Sequence, residues 1–187
     1  MNQEIKLPKL APDIRLFGGV GDEMLAEFFR QQDEAPPDGP ILMELSSNGG
    51  NADMGRRLAQ ELRLWQEKAG RDVWFLGKTY VYSAAVTVMS AIPRERRFMT
   101  GDCEVLIHER KMTRELRIDG ALRGCRAVVL DLLAEIESGE RLQRAGFEQL
   151  AKGTGLTADD IEKRVMEKDW YLTAAQALDA GLIAGVV

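Results

Sequence analysis

Apolar runs of strand length alternate along this chain with stretches of helical spacing, and that alternation limits the folds open to it. Ile41-Leu42-Met43-Glu44-Leu45 reads as a buried strand. A glycine-bearing turn follows it, Ser46-Ser47-Asn48-Gly49-Gly50. From about Ala52 to Lys68 the pattern becomes helical, with Met54, Leu58, Leu62 and Trp65 forming one stripe. Asp72 to Leu76 is a second strand, and Thr79-Tyr80-Val81-Tyr82 is a further apolar run. A small-residue helix, Ala84 to Ala91, comes next, then short strands near Arg97-Phe98-Met99 and from Glu104 to Ile107. Strands separated by helices imply strand–helix–strand units joined by right-handed crossovers, hence an α/β fold.

The ends of the chain read differently. Residues 1–13 are polar or proline-bearing (Pro8, Pro12) and form an arm ahead of the short run Ile14-Arg15-Leu16-Phe17. That run alternates less than a surface strand should. Asp22 to Gln32 has helical spacing, with Met24, Leu25, Phe28 and Phe29 on one face. Lys111 to Arg123 is charged and is expected to be a hairpin or extended loop turning at Asp119-Gly120. Ala127 to Lys152 is a long helical stretch with glycines at 139 and 146 where it could kink. Thr157-Ala158-Asp159-Asp160 and Thr173-Ala174-Ala175-Gln176 are capping-box starts, and Gly181 is placed to end the last helix.

Composition narrows the function classes. A net charge of −5 argues against a nucleic-acid binder, for which a basic face is expected. No apolar run approaches the roughly 20 residues that span a bilayer, and Met1 to Lys6 lacks the apolar core of a secretory signal. Cys103 and Cys125 have no metal-ligand spacing, and one histidine with no cysteine pair makes a zinc site improbable. Both cysteines are expected to be buried apolar residues. A cytoplasmic protein without metal or cofactor is the simplest expectation.

The single histidine, His108, closes the apolar run Val105-Leu106-Ile107, and Ser83 opens the small-residue helix. Serine becomes a competent nucleophile when a neighbouring base takes its proton, and a neutral imidazole suits that task near pH 7. The bland alternatives are that Ser83 is a helix N-cap and His108 a core residue bonded to backbone. Lys78 or Lys111 acting as the base of a Ser-Lys pair is a poorer alternative.

Four segments, in this order, resemble the proteolytic subunit of Clp protease, ClpP. Leu42 to Gly50 resembles that family's strand and Ser-Pro-Gly-Gly turn, with Asn48 at the proline position. Ser83 with the small residues after it resembles the nucleophile segment, Val105 to Glu109 the histidine segment, and Glu167 to Ala174 the segment that supplies the third triad member. The resemblance implies a ClpP/crotonase-like superhelix of ββα units. It makes 14–187 one domain, with a helical handle over about 110–152. It implies a serine peptidase with Ser83 as nucleophile, His108 as base and Asp169 as the carboxylate that orients the imidazole. Gly49, Gly50 and Ala84 would supply oxyanion-hole N–H groups. It further implies a homo-oligomer, a heptameric ring or stacked rings. The substrate would be a polypeptide. An ATP-dependent unfoldase is the further partner that the resemblance implies, and the arm before Ile14 is short for such coupling. Tyr80 and Tyr82 stand where smaller residues are common in the family, and Lys111–Arg123 looks longer than its counterpart. A non-catalytic ring subunit and an acyl-CoA enzyme on the crotonase fold stay open as alternatives.

Overall fold

The structure is a computed structural model and describes residues 6–187. Seven strands and six helices follow one another in it. β1 (Ile14–Phe17), α1 (Asp22–Glu34), β2 (Ile41–Ser47), α2 (Ala52–Glu67) and β3 (Val73–Tyr82) make the first half. α3 (Ala84–Ser90), β4 (Arg97–Met99), β5 (Glu104–Ile107) and α4 (Leu122–Ala151) follow. α5 (Ala158–Glu167), β6 (Trp170–Thr173), α6 (Ala174–Asp179) and β7 (Gly185–Val186) complete it. The sheet runs β1-β2-β3-β4-β7 with parallel pairing throughout. β5 joins the far end of β3 in parallel, and β6 pairs with β5 in the opposite direction.

The parallel order follows from what the strands bury. β2 is buried at every position from Ile41 to Leu45, as a strand covered on both faces must be. On one face lies the main core, where Leu58 and Leu62 of α2 meet Phe28 of α1 and Met43, Leu45 and Phe75 of the sheet. Burying a side chain of that size contributes about 1.5–3 kcal/mol. Met54 and Trp65 pack at the edge of the same core, so the expected α2 stripe faces inward along its length. Leu42, Leu76 and Phe98 form a smaller cluster on the other face, with Trp74 and with Leu7 from the arm. Arg97 is 1 % exposed, and its guanidinium donates to the Ile92, Ser90 and Leu182 carbonyls. It thereby ties the end of α3 to the turn before β7.

Several expectations change. β1 alternates after all: Ile14 and Leu16 are buried, Arg15 and Phe17 exposed. It is the edge of the sheet, so one face meets solvent. β3 is one strand where two runs were read. Its register with β2 slips between Leu45 and Ser47, and Thr79 takes φ 59°. This bulge lets β3 pair with β4 through Phe75–Gly77 and with β5 through Tyr80–Tyr82. The stretch 108–120 takes the second of its two expected forms, an extended loop and not a hairpin; Gly120, at φ 114°, turns the chain straight into α4. α4 starts at Leu122, five residues earlier than expected, and continues as one helix past Gly139 and Gly146. Cys103 is buried, whereas Cys125 is only half-buried, because α4 projects from the body there. Both capping boxes form. Gly181, at φ 73°, closes α6 through bonds from Gly181 N–H to Leu178 and from Leu182 N–H to Ala177.

Candidate active site

β3 and β5 end side by side, and each delivers one of the two reactive side chains. Tyr82 is in register with Leu106, and the Ser83 N–H donates to the Leu106 carbonyl at 2.8 Å. Ser83 and His108 therefore stand at the carboxyl ends of neighbouring parallel strands, the usual location of sites in α/β sheets. Both line a cavity of about 410 Å³. Val86, Ile107, Leu142 and Phe147 make its apolar wall, and Gly50, Asp53, Arg56, Arg110 and Lys111 contribute polar lining.

Ser83 has φ 56° and ψ −118°, a strained backbone for a residue with a side chain. The strain belongs to the sharp strand-to-helix turn that raises a side chain above the sheet. The Ser83 hydroxyl does not cap α3, so the N-cap alternative fails on geometry. The turn after β2 is built to come close. A Cβ on Gly49, at φ 92°, would lie 2.7 Å from Ser83 Cβ and 2.9 Å from the Tyr82 carbonyl. Only glycine permits both that conformation and that approach. Gly55 does the same for α3: a Cβ there would lie 2.9 Å from the Ala84 carbonyl.

The oxyanion donors expected from sequence divide in two. The Gly49 N–H is turned to Ser47 Oγ at 3.2 Å. Gly50 is held by bonds on either side of it, from Val20 N–H to the Gly49 carbonyl and from Asn51 N–H to the Val20 carbonyl. Neither the Gly50 N–H nor the Ala84 N–H has a partner among the described residues. Ala84 is the first residue of α3, where amide hydrogens lack intrahelical acceptors.

His108 and Asp169 lie just outside one end of the β5–β6 ladder. Glu104 pairs with Thr173, and Ile107 pairs with Trp170. The ladder ends there, with His108 next after Ile107 and Asp169 just before Trp170. The side chains nevertheless look elsewhere. His108 Nδ1 bonds to the Glu109 carbonyl, and the Asp169 carboxylate pairs with Lys111 Nζ at 3.3 Å. Among the described residues no hydrogen bond joins His108 to Ser83 or to Asp169. Asp160 is committed to its capping box and Asp159 to Arg144. Lys78 pairs with Glu44 at 2.8 Å, away from the serine.

Sequence reasoning missed three features of the site. Arg110 bridges to Asp53 Oδ2 at 2.8 Å, and its N–H donates to Gln143 Oε1 at 2.6 Å. The hold of Lys111 on Asp169 is the second. The third is a tyrosine cluster on the sheet face behind Ser83. Tyr82 lies 5.6 Å from Tyr80 and 6.0 Å from Tyr171 between ring centres, and its hydroxyl donates to Glu104 at 2.8 Å. Burial, and then that bond to Glu104, push the Tyr82 pKa up to about 12. Charge adjacency along 108–111 was the only signal in the sequence for the first two. Among the described residues no group of three or more His, Cys, Asp or Glu is gathered in a way that could hold a metal. No described helix is long and apolar enough to cross a membrane.

Comparison with known proteins agrees with this fold. The Clp protease family model matches residues 13–187. The ATP-dependent Clp protease proteolytic subunit 3 of Rhizobium johnstonii is 27% identical over 93% of this chain and 82% of its own length. Subunit 2 of Treponema pallidum is 28% identical over 79% of this chain and 66% of its own length. The solved structure of a ClpP1 mutant from Listeria monocytogenes superposes with a TM-score of 0.73, at 18% identity, covering 93% of this chain and 90% of that one. That likeness establishes the fold.

Proposed function

The chain belongs to the Clp protease family, and from that premise we propose that it is a serine endopeptidase acting on peptides or unfolded polypeptides. One observation carries the reading. Ser83 holds a strained turn with its hydroxyl uncommitted, and it shares a cavity with the one histidine of the chain.

Ser83 Oγ attacks the scissile carbonyl while His108 takes its proton. The carbonyl oxygen becomes an anion facing the Gly50 and Ala84 N–H groups, with Gly49 shaping the turn. Each such donor contributes on the order of 3 kcal/mol to the transition state. As the C–N bond breaks, His108 returns the proton to the leaving amine, and an acyl-enzyme remains on Ser83. Water, deprotonated by His108, then releases the acid and restores the serine. Asp169 orients the imidazole and stabilises its positive charge in both steps. No cofactor is needed, since every proton moves between side chains, substrate and water.

Residues 14–187 act in this reading as one domain, with 1–13 as an arm and about 110–152 as the handle. The protein assembles with copies of itself into a heptameric ring or stacked rings in the cytoplasm. An unfoldase driven by ATP is the partner suggested by the relatives' name. Enclosure in a ring would restrict the site to extended chains.

A fluorophosphonate probe tests the chemistry. Labelling of the native protein that is lost in Ser83→Ala supports the reading, and hydrolysis of an unfolded substrate should fall at least about 10⁴-fold with it. Labelling that persists in Ser83→Ala means another nucleophile, and activity surviving His108→Ala means another base. The pairing of Asp169 with Lys111 favours a second reading, a non-catalytic ring subunit. An assembled protein that neither reacts with the probe nor cleaves substrate selects it.

A further inference from the structure

The three residues after His108 are fastened at three points. Arg110 reaches Asp53 at the start of α2, its own N–H bonds Gln143 of α4, and Lys111 reaches Asp169 at the mouth of β6. Within this strap the imidazole donates Nδ1–H to the Glu109 carbonyl. That bond already leaves Nε2 as the basic nitrogen, which is the tautomer the reaction needs. A neutral carbonyl gives little help to an imidazolium, however, whereas a carboxylate stabilises it directly. The carboxylate that could do so is Asp169, which directly precedes β6 as His108 directly follows β5, and a lysine holds it. The charged side chains lining the surrounding cavity are Asp53, Arg56, Glu109, Arg110 and Lys111. Among these, Lys111 is the one paired with Asp169.

We propose that Lys111 is a positioning residue that competes with His108 for the Asp169 carboxylate. The inference rests on the peptidase reading given above. While Lys111 holds Asp169, the base is in the right tautomer but lacks its counter-charge. When the strap after His108 moves, Asp169 is released to the imidazole and the site reaches full activity. The Lys111–Asp169 pair suits such a role because it is easily exchanged. Both side chains are exposed, at 67% and 41%, so water and salt screen their attraction. The effect falls on the chemical step, because the contact alters imidazolium stability and leaves the apolar wall of the cavity untouched.

The test uses the full chain with ¹⁵N-labelled histidine. With one histidine present, the imidazole signals assign themselves. In Lys111→Met the Nδ1 proton should move downfield, as for an imidazole bonded to a carboxylate. Fluorophosphonate labelling and kcat should rise roughly two- to fivefold with KM unchanged, the range of an exposed ion pair. Lys111→Arg should restore the native signature, and Lys111→Met in an Asp169→Asn background should produce neither change. An unmoved Nδ1 proton in Lys111→Met overturns the proposal, as does a rate increase that survives in the Asp169→Asn background. If no variant is labelled, the peptidase reading falls, and the imidazole signal still decides whether the two residues compete.

Discussion

α2 and α4 are both amphipathic helices, yet they end in opposite situations. α2 buries Gly55, Leu58, Ala59 and Leu62 against the sheet and α3. α4 has nearly twice its length and buries only Phe147 and Leu150, both in its last turns. Its first half leaves Leu122 at 88% and Leu130 at 50% exposure, with Val128, Val129, Leu133 and Ile136 also outside. Met112, Leu116 and Ile118 of the preceding strap are exposed beside them in sequence. One region is finished by its own chain, and the other carries an apolar stripe that none of the described residues covers. A stripe of that extent marks an interaction surface, which is where the proposed self-assembly would act. β3 and β5, which lead to Ser83 and His108, end at the junction of the two regions. The strap that leaves His108 is therefore bounded by rigid core on one side and by the projecting helix on the other.

Truncating one leucine in each region is the strongest way to break this comparison. Leu62→Ala should cost about 2–5 kcal/mol in denaturant unfolding, because it opens a cavity in a closed core. Leu130→Ala should leave the stability of the dilute monomer within about 0.5 kcal/mol and weaken self-association in sedimentation. Equal losses of monomer stability would mean that α4 is packed against its own chain.

The cysteines sharpen the contrast. Burial, and then the nearby Asp102 and Glu104, push the Cys103 pKa up to about 12. Cys125 sits half-buried on the projecting helix. A thiol reagent should modify Cys125 in the native protein and reach Cys103 only on unfolding. The sign of the pH effect follows. Between the ordinary thiol range and about pH 12, folded Cys103 keeps a proton that the unfolded chain releases, so stability falls as pH rises. Tyr82 adds to the same decline from the ordinary phenol range to about 12. Urea midpoints should drop across this alkaline window, and less steeply in Cys103→Ala.

The smallest effect belongs to Gly124, in the first turn of α4. A Cβ there meets nothing within 4 Å. Gly124→Ala should stabilise the helix by about 0.5–1 kcal/mol, read as a modest gain in helical signal and thermal midpoint. A loss would show that the projecting turns touch something this chain leaves uncovered.

Elements written in local patterns were legible without coordinates. The α2 stripe, the buried run of β2, both capping boxes and the glycine that ends α6 all depend on residues within a few positions of one another. The order of glycine turn, serine, histidine and aspartate rested on the resemblance to the Clp protease family. Tertiary structure alone decided the bulge at Thr79 that gives β3 two partners, and the antiparallel ladder that pairs Ile107 with Trp170. It also decided the grip of Lys111 on that carboxylate and the exposure of the first half of α4. Each of these pairs groups that are remote in sequence, and sequence periodicity carries no information about which remote strand supplies a neighbour or which face is left without one.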